Sequence, residues 1–439
     1  MSNLTTALTA YLMARLQEVQ GNLGHEATPA DTNDARFADV LDSMGMVEFL
    51  ALVADDLGIQ PELIEKSVGR QFGTVAELAE ALQEAGVSSA LRSRRAPVPK
   101  AAQRPPRAVA RGWLAGTAVQ LPETVESAAA INDKLGRPNG WLETRAGIKQ
   151  RCIWGEQDPL KAAAAAGHAA LARAGIPAAK VGTLLVVSEA PPLLLGLAAA
   201  LHHRLQLPSD TVALEIGGAC TAFVSAIWTA QALLPQREVI LIVAVEAVTR
   251  YLRVEPGPTG EAAALFGDAS AAMVVCASKQ GEDAAPLLDV SLGADGGLAG
   301  ILQVERSDGG AVALHMRGTE LASRAIHVMA DSTEEMAARH GLGLHQLAAV
   351  VAHGGNGRMP ALLALKLGLP PERVWSETPT TGNLGSASLP VAWAAQKQRP
   401  SAPVVWAAVG AGLTWGTFLT GDALPLAGAV GTGSKTNVE

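Results

Sequence analysis

The sequence has few cysteines. The three in 439 residues are Cys152, Cys220 and Cys276, and they lie far apart. An odd number at such spacing excludes a disulfide framework and lacks the paired pattern of a metal site, so we expect a reducing, cytoplasmic location and no metal. With 49% apolar residues, a chain of this length can bury two or three domain cores without cross-links.

Long apolar runs are absent as well. No stretch approaches the roughly 20 consecutive apolar residues of a membrane-spanning helix. Residues 1–21 also lack the basic-then-apolar order of a signal peptide. We therefore expect no membrane span and no export.

Basic residues are in the minority and are concentrated in one segment. Residues 1–90 contain fourteen acidic and four basic side chains, whereas residues 91–111 contain seven basic ones and none that is acidic. The basic segment is proline-rich and has no interleaved aromatic residues, so nucleic acid is not an expected partner. The first segment is a small acidic unit.

The acidic segment predicts a helical bundle over residues 1–87. Apolar residues three and four apart indicate helices over 4–20 and 42–57, and Thr74 and Glu77 have the spacing of a capping box at the start of a third. Two further segments predict no regular structure. Residues 88–107, rich in Arg, Pro and Ala, predict a tether of on the order of 50 Å when extended, and residues 427–439 predict a flexible tail.

Residues 108–426 alternate apolar strands with alanine-rich helices, which indicates an α/β domain with a buried sheet. A turn with a cysteine in the first half and a turn with a histidine in the second suggest two duplicated halves. The predicted strands are 108–119, 181–187, 212–216, 239–244, 271–275, 348–352, 404–409 and 416–419.

Cys220 lies in Gly-Gly-Ala-Cys-Thr-Ala-Phe, between a strand pattern and a helix pattern. The free N–H groups at a helix N-terminus favour the thiolate, which is the nucleophilic form of cysteine. A cysteine in such a turn also packs as a small apolar residue. The local sequence leaves the nucleophile and the packed thiol equally open.

Two further polar residues follow apolar strands. His353 comes directly after a strand pattern, and Asn383 lies in a glycine turn before a helix pattern. A single histidine there is commonly structural, and an asparagine in a glycine turn commonly serves the backbone. The conjunction of cysteine, histidine and asparagine is what indicates catalysis.

Residues 108–425 resemble the β-ketoacyl-acyl carrier protein synthase III family, of thiolase fold. Cys220 matches its acylated cysteine, His353 in His-Gly-Gly-Asn-Gly-Arg its histidine, and Asn383 in Gly-Asn-Leu-Gly-Ser-Ala-Ser its asparagine. Segments that begin at Trp141 and Leu265 match as well. The resemblance implies a thiolase fold of two pseudo-repeated α/β halves, preceded by the small all-α bundle.

The resemblance also implies an acyltransferase of the Claisen type. Cys220 attacks an acyl thioester, with the backbone N–H groups of Cys220 and Ala411 as an oxyanion hole. A malonyl-type thioester then loses CO₂, and a neutral His353 and Asn383 donate to the enolate oxygen. The alternatives are transfer of the acyl group on Cys220 to a hydroxyl or amine, and a non-catalytic scaffold that presents a carrier.

Residues 1–85 resemble acyl carrier proteins, because Asp42-Ser43-Met44 is similar to their Asp-Ser-Leu motif. The resemblance implies that a phosphopantetheinyl transferase attaches 4′-phosphopantetheine to Ser43. The simpler role of such a serine is to cap a helix. A carrier fused to a synthase suggests a specialised polyketide or fatty-acyl pathway.

The resemblance extends in part to the coenzyme A site. Trp141, Arg145 and Asn356 match positions there, but the family's adenine-stacking arginine falls at Gly260. This departure favours an acyl thioester on a carrier protein over one on coenzyme A.

Other family positions bear on partners. Arg358 and Lys366 match basic residues that dock an acidic carrier helix, although two such residues are commonly just solvated. Ala322 and Thr319 replace the phenylalanine and asparagine expected after Met316. The family is usually homodimeric, and we expect residues 191–197 to contribute to the acyl pocket.

Overall fold

The computed structural model describes residues 73–84, 111–193, 195–281, 284–306, 312–316, 318–396, 400 and 402–421, with isolated positions before residue 73. The described strands are β1 (Trp113–Gln120), β2 (Thr124–Ser127), β3 (Gln150–Ile153), β4 (Thr183–Val187), β5 (Val212–Ile216), β6 (Val239–Glu246), β7 (Ala269–Cys276), β8 (Ala285–Ala294), β9 (Leu302–Arg306), β10 (Val312–Met316), β11 (Ala349–Ala352), β12 (Val374–Trp375), β13 (Val404–Gly410) and β14 (Thr414–Thr420). The described α-helices are α1 (Val75–Glu84), α2 (Ala128–Lys134), α3 (Trp141–Ala146), α4 (Pro159–Ala174), α5 (Leu197–Arg204), α6 (Ala222–Leu233), α7 (Pro258–Ala263), α8 (Gly318–Arg339), α9 (Met359–Lys366), α10 (Thr378–Thr381) and α11 (Ser388–Ala394).

Ten of these strands form one mixed sheet in the order β12-β11-β13-β14-β8-β1-β7-β6-β4-β5. In the first half, β4 is parallel to β5 and β6, and β6 is antiparallel to β7. In the second half, β11 is parallel to β12 and β13, and β13 is antiparallel to β14. The two halves therefore have the same strand order outward from the centre, which confirms the predicted duplication.

Both faces of the sheet are covered by helices. Leu185 and Val187 of β4 pack with α6 and α11 on one face, whereas Leu184 and Val186 pack with α4 and α5 on the other. Helices α8 and α9 cover the second half in the same way. Burial on both faces explains why the central strands are continuously apolar rather than alternating.

The N-terminal segment is described only in part. Glu77 N–H donates to Thr74 Oγ1 at 3.3 Å, and Thr74 N–H donates to Glu77 Oε2 at 3.1 Å, which confirms the predicted capping box at α1. Ser43, the 88–107 tether and the 427–439 tail lie outside the described residues. Within the described part of the chain, no helix has the length and apolar character needed to cross a membrane.

The sequence patterns missed several strands. All eight predicted strands have counterparts, but β8, the short β12 and the two-stranded pairs β2–β3 and β9–β10 were not predicted. The first part of β8 is buried and its end alternates between half-buried and exposed. The apolar run in the first part of β8 and the alternating pattern at its end are therefore each too short to predict a strand from the sequence.

A buried ion pair supports the segment that precedes β7. Arg151 donates from Nε to Glu126 Oε2 at 2.7 Å, and from Nη1 to the carbonyls of Ala263 at 2.9 Å and Phe266 at 3.1 Å. Phe266 forms an isolated bridge to Asn383. The ion pair therefore helps to hold the backbone of a predicted catalytic residue.

We expect Arg151→Met to lower the free energy of unfolding by about 3–5 kcal/mol, because Glu126 would remain buried with part of its compensation removed. Burial raises the pKa of Glu126, but Arg151 and Lys134 hold it below its ordinary value of 4.5. The stabilisation is therefore present above pH 4.5 and is lost as the pH falls below it. Urea unfolding at pH 7 and at pH 3 measures both effects.

The double variant Glu126→Gln/Arg151→Met is the matched control. It should be more stable at pH 7 than Arg151→Met alone, because no buried carboxylate is left behind. Equal stability of the single and double variants would contradict this account.

Candidate active site

A cavity of about 810 Å³ is formed by residues from both halves of the sheet. Its volume lies within the usual range for small-molecule sites. Cys220, His353 and Asn383 all line it. The structure thus brings together the three residues that the sequence predicted to be catalytic. Four of the other predicted site residues also line the cavity: Trp141, Arg145, Asn356 and Ala411.

Cys220 occupies a tight turn between β5 and α6. The turn requires positive φ at two positions, Gly218 (132°) and Ala219 (49°), before a 3-10 segment leads into the helix. An alanine in the left-handed region costs about 1–2 kcal/mol. The strain precedes the predicted nucleophile directly, as is common at functional sites.

The thiol of Cys220 is not an ionised nucleophile at rest. Burial, then the charge of Glu189 and the hydrogen bond to it, raise the pKa of Cys220 well above its ordinary value of 9.0, while the backbone N–H of Cys220 acts weakly in the opposite direction. The expectation that the helix N-terminus would favour the thiolate is therefore wrong for this chain. The side chain is 7% exposed, and removal from water outweighs the helix end.

Glu189 was not predicted from the sequence. Its two carboxylate oxygens each lie 3.3 Å from Cys220 Sγ, and it lines the same cavity. Glu189 follows β4 by two residues, whereas His353 directly follows β11, which is the corresponding strand of the second half. The correspondence of β4 and β11 could have indicated Glu189 as a site residue. It becomes apparent only when the strand order of the sheet is known.

A second buried carboxylate organises the turns around Cys220. Glu246, at the end of β6, accepts hydrogen bonds from the backbone N–H groups of Glu189, Ala190 and Ser386 at 2.9–3.1 Å and from the Ser386 hydroxyl. Burial and the charge of Glu189 raise the pKa of Glu246 to about 8. The four donors compensate for its removal from water.

His353 is buried and uncharged at neutral pH. Burial lowers its pKa to about 4. Its Nδ1 lies 3.2 Å from Ser388 Oγ, and the Ser388 hydroxyl also lies 2.8 Å from the carbonyl of Gly385. Because a hydroxyl has one proton to donate, its direction decides which ring nitrogen of His353 carries the hydrogen.

Asn383 is held in place by its own amide oxygen. Oδ1 accepts from Gly385 N–H at 2.9 Å, and the backbone N–H and carbonyl of Asn383 bond to Leu265 and Gly267. The other end of the amide, the side-chain NH₂, is a hydrogen-bond donor, and Asn383 lines the cavity. The glycine turn fixes the orientation of this amide.

The two residues predicted to form an oxyanion hole lie on adjacent backbone segments. A Cβ placed on Gly410 would lie 3.1 Å from the backbone nitrogens of Cys220 and Thr221, so β13 ends directly against the cysteine turn. Ala411 follows and lines the cavity. The N–H groups of Cys220 and Ala411 thus belong to segments in contact, as an oxyanion hole requires.

Two arginines lie beside Trp141, and one of them, Arg145, lines the cavity. The guanidinium groups of Arg137 and Arg145 lie 5.4 and 5.6 Å from the Trp141 ring centroid. Arg137 also pairs with Glu261. A side chain at Gly260 would meet the Glu255 carbonyl at 1.8 Å, so the family's arginine has no space there.

The predicted docking residues flank α9. Asn356 Oδ1 accepts from the N–H groups of Arg358 at 2.9 Å and Met359 at 3.1 Å, so it caps the helix as well as lining the cavity. Arg358 is half-buried and Lys366 is exposed, and both lie outside the cavity lining.

The predicted acyl-pocket segment is placed elsewhere. Of residues 191–193 and 195–197, none lines the cavity of this chain, and Leu195 is 90% exposed. The described part of this segment therefore does not line the cavity of its own chain, and its contribution to the acyl pocket stays a prediction. Leu302, Leu314, Ala322 and Ala325 line the cavity instead, from β9, β10 and α8.

Two family models match the chain. Residues 214–296 match the 3-oxoacyl-[acyl-carrier-protein] synthase III model, and residues 337–421 match the model of its C-terminal part. The first range contains Cys220 and the second contains His353 and Asn383.

Known proteins match over the same domain. The β-ketoacyl-[acyl-carrier-protein] synthase III of Granulibacter bethesdensis is 30% identical over 322 residues, which are 70% of this chain and 98% of the relative. The structure of 3-oxoacyl-(acyl carrier protein) synthase III from Pseudomonas aeruginosa is 28% identical, with a TM-score of 0.63 over 72% of this chain and all of that chain. The priming β-ketosynthase of the R1128 polyketide biosynthetic pathway is 25% identical, with a TM-score of 0.64 over 74% of this chain and 99% of that chain.

These matches agree with the duplicated mixed sheet and confirm the predicted thiolase fold. They span nearly the full length of the relatives and include the turns of Cys220, His353 and Asn383. The chain therefore belongs to the 3-oxoacyl-[acyl-carrier-protein] synthase III family.

Proposed function

We propose that the protein loads an acyl group onto Cys220 and condenses it decarboxylatively with a malonyl-type thioester. The observation that carries this proposal is the pair of uncharged groups, His353 and Asn383, in the cavity of Cys220. Loss of CO₂ leaves an enolate whose oxygen needs preorganised donors at short range. A neutral imidazole and a primary amide supply them without a charge of their own.

The proposed reaction has two half-reactions. Cys220 Sγ first forms a bond to the carbonyl carbon of the acyl thioester, and the donor thiol leaves with the proton of Cys220. The C–CO₂ bond of the malonyl-type thioester then breaks, and the resulting enolate carbon attacks the acyl carbon. The Cys220 S–C bond breaks, and a β-ketoacyl thioester is released.

A second candidate function is transfer of the acyl group to a hydroxyl or amine, and the Ser388 contact favours it. The Ser388 hydroxyl lies nearer to the Gly385 carbonyl (2.8 Å) than to His353 Nδ1 (3.2 Å). If it donates to the carbonyl, Nδ1 carries the proton and Nε2 is a free base, which suits deprotonation of an alcohol. If it donates to Nδ1, Nε2–H is the donor that an enolate needs.

The acyl donor is proposed to be a thioester on a carrier protein, in a specialised polyketide or fatty-acyl pathway. The lack of space at Gly260 supports a carrier over coenzyme A. Arg137 and Arg145 suit the phosphate of a pantetheine arm from either source. We further propose that Ser43 carries such an arm, with Arg358 and Lys366 as the docking surface for the carrier.

The condensation proposal predicts different losses at the three residues. Cys220→Ala should abolish acyl loading, whereas Asn383→Ala should load Cys220 but lose about 100-fold or more of the decarboxylation rate. His353 should introduce no pH dependence between pH 5 and 8, because its pKa of about 4 leaves it neutral throughout. Intact-protein mass spectrometry of loading, with CO₂ release and product analysis, measures each step.

A matched substitution separates the two candidate functions. Ser388→Ala removes the hydroxyl near His353 and leaves the three proposed catalytic side chains unchanged. Discharge of acyl-Cys220 by hydroxyl or amine acceptors alone, with no β-ketoacyl product in the wild type or this variant, would refute condensation.

The carrier proposal predicts a modification at one residue. Incubated with coenzyme A and a phosphopantetheinyl transferase, the wild type and Ser67→Ala should gain one phosphopantetheine group, and Ser43→Ala none. Peptide mapping by mass spectrometry locates the group. Equal modification of Ser43→Ala would disprove the assignment.

We also propose a homodimer that forms at the β5 edge of the sheet. Strand β5 ends the ten-stranded order, so among the described residues one side of its backbone has no strand paired to it. Leu214 on β5 and Trp228 on α6 are 40% and 47% exposed. An apolar edge of this kind is a surface that a second copy covers well.

Leu214→Arg should shift a dimer of twice the 45.1 kDa chain mass toward monomer, because it places a charge in the proposed contact. Val125→Arg is the control, since Val125 is also an exposed strand residue, at 48%. Sedimentation equilibrium measures the masses. A wild type that sediments as a monomer would rule the dimer out.

A further inference from the structure

The Cys220 thiol and the Glu189 carboxylate form an isolated pair inside the cavity. Both Glu189 oxygens lie 3.3 Å from Sγ. Within the described part of the chain, the thiol is the hydrogen-bond donor to this carboxylate. The Glu189 backbone is fixed separately, through its N–H to Glu246. The side chain therefore has no structural partner that would explain its position.

The surrounding turn leaves space for this carboxylate. A Cβ on Gly385 would lie 2.6 Å from Glu189 Oε2, and Gly385 has a φ of 51°. Only glycine therefore satisfies both the backbone and the carboxylate at this position. The turn that orients Asn383 is thus also shaped around Glu189.

Few titratable groups face the pair. Glu246 lies behind the Glu189 backbone, and His353 lines the cavity from the second half. Arg145 and Glu261 line the same cavity. Within the described residues, none of these is hydrogen-bonded to the Glu189 side chain, and the proton of Cys220 has one adjacent acceptor.

We propose that Glu189 is a catalytic residue that accepts the Cys220 proton during acyl loading and returns it to the departing thiol. As Sγ bonds to the acyl carbon, the S–H proton moves to a Glu189 oxygen. As the tetrahedral intermediate collapses, the donor C–S bond breaks and Glu189 protonates the leaving sulfur. The acyl group has then moved from the donor sulfur to Cys220, and the proton has moved from Cys220 to the donor thiol. Glu189 is again a carboxylate.

The electrostatics of the pair predict two opposite effects of removing the charge of Glu189. Burial raises the pKa of Glu189, and the same burial together with the nearby carboxylate raises that of Cys220. The carboxylate therefore suppresses the free thiolate while providing the acceptor that makes the thiol reactive. Removing the charge should increase the thiolate fraction and slow proton-coupled acyl transfer.

Glu189→Gln tests these opposite effects in the full chain. Alkylation of Cys220 by iodoacetamide at pH 7–8, followed by peptide mapping, should be faster than in the wild type, because alkylation needs only the thiolate. Loading from acetyl-, butanoyl- or octanoyl-acyl carrier protein, the type of donor proposed above, measured by quenched-flow mass spectrometry, should be about 100-fold or more slower at pH 7. That deficit should shrink by about tenfold for each pH unit as hydroxide ionises the thiol.

Two further variants control for structure and charge. Glu189→Asp keeps a carboxylate and should retain the wild-type form of the pH profile at a lower rate. Glu377→Gln removes a half-buried glutamate outside the cavity lining and should match the wild type in both assays. Thermal unfolding verifies that each variant is folded.

The outcomes separate this proposal from the loading function on which it rests. Faster alkylation with faster loading would show Glu189 to be merely a suppressing charge, and unchanged rates would show it to be a bystander; either overturns the proposal. A wild type that never loads Cys220 would overturn the proposed function and the Glu189 role together. A wild type that loads, with Glu189→Gln matching its pH profile, overturns the Glu189 role alone.

Discussion

The carboxylate of Glu246 is the contact on which the geometry of the site depends. It accepts hydrogen bonds from the end of β4, at Glu189 and Ala190 among others, and from the Asn383 turn at Ser386. Leaving a buried polar group without its hydrogen-bond partners costs about 1–3 kcal/mol, and more if the group is charged, so separation of these segments is unfavourable. The network spans both halves of the sheet, since β4 and β6 belong to the first and the Asn383 turn to the second. The positions of Glu189 and Asn383 relative to each other are therefore fixed by one side chain that does not line the cavity.

The two halves of the duplicated sheet contribute chemically different groups to the cavity. The first half contributes a thiol with a carboxylate against it, and the second contributes a neutral imidazole and an amide. In the proposed reaction, negative charge on the substrate would be stabilised by His353 and Asn383, whose side chains have no carboxylate in hydrogen-bond contact within the described residues. Proton transfer would take place on the first side, where the Glu189 carboxylate lies 3.3 Å from the sulfur. A symmetrical scaffold thus holds two chemically different pairs at corresponding strand ends.

Local patterns in the sequence located the candidate turns, but only the conjunction of three residues indicated a site. Cys220 and His353 each lie in a turn between a strand and a helix, whereas Asn383 follows the short helix α10 in a glycine turn. Glu189 had no such signal, because its partner is 31 residues away and the contact exists only once β4 and β5 are paired. The ionisation state of Cys220 was predicted wrongly for a related reason. The helix N-terminus is visible in the sequence, but the depth of burial and the opposing carboxylate are properties of the assembled fold.

Magnitudes explain why burial decides the state of the nucleophile. A helix terminus contributes about 0.3–1 kcal/mol to a nearby charge, whereas full burial shifts a pKa by up to about 3–5 units at about 1.4 kcal/mol each. The dipole therefore cannot maintain a thiolate in this cavity without a neighbouring cation, and the neighbour is an anion. A thiol at rest reacts slowly with adventitious electrophiles and oxidants, since both attack the thiolate. In the proposed mechanism, activation would then coincide with arrival of the thioester, whose developing oxyanion would be met by the N–H groups of the cysteine turn and the β13–β14 turn. Nucleophile formation and oxyanion stabilisation would thus be coupled in one step rather than supplied in advance.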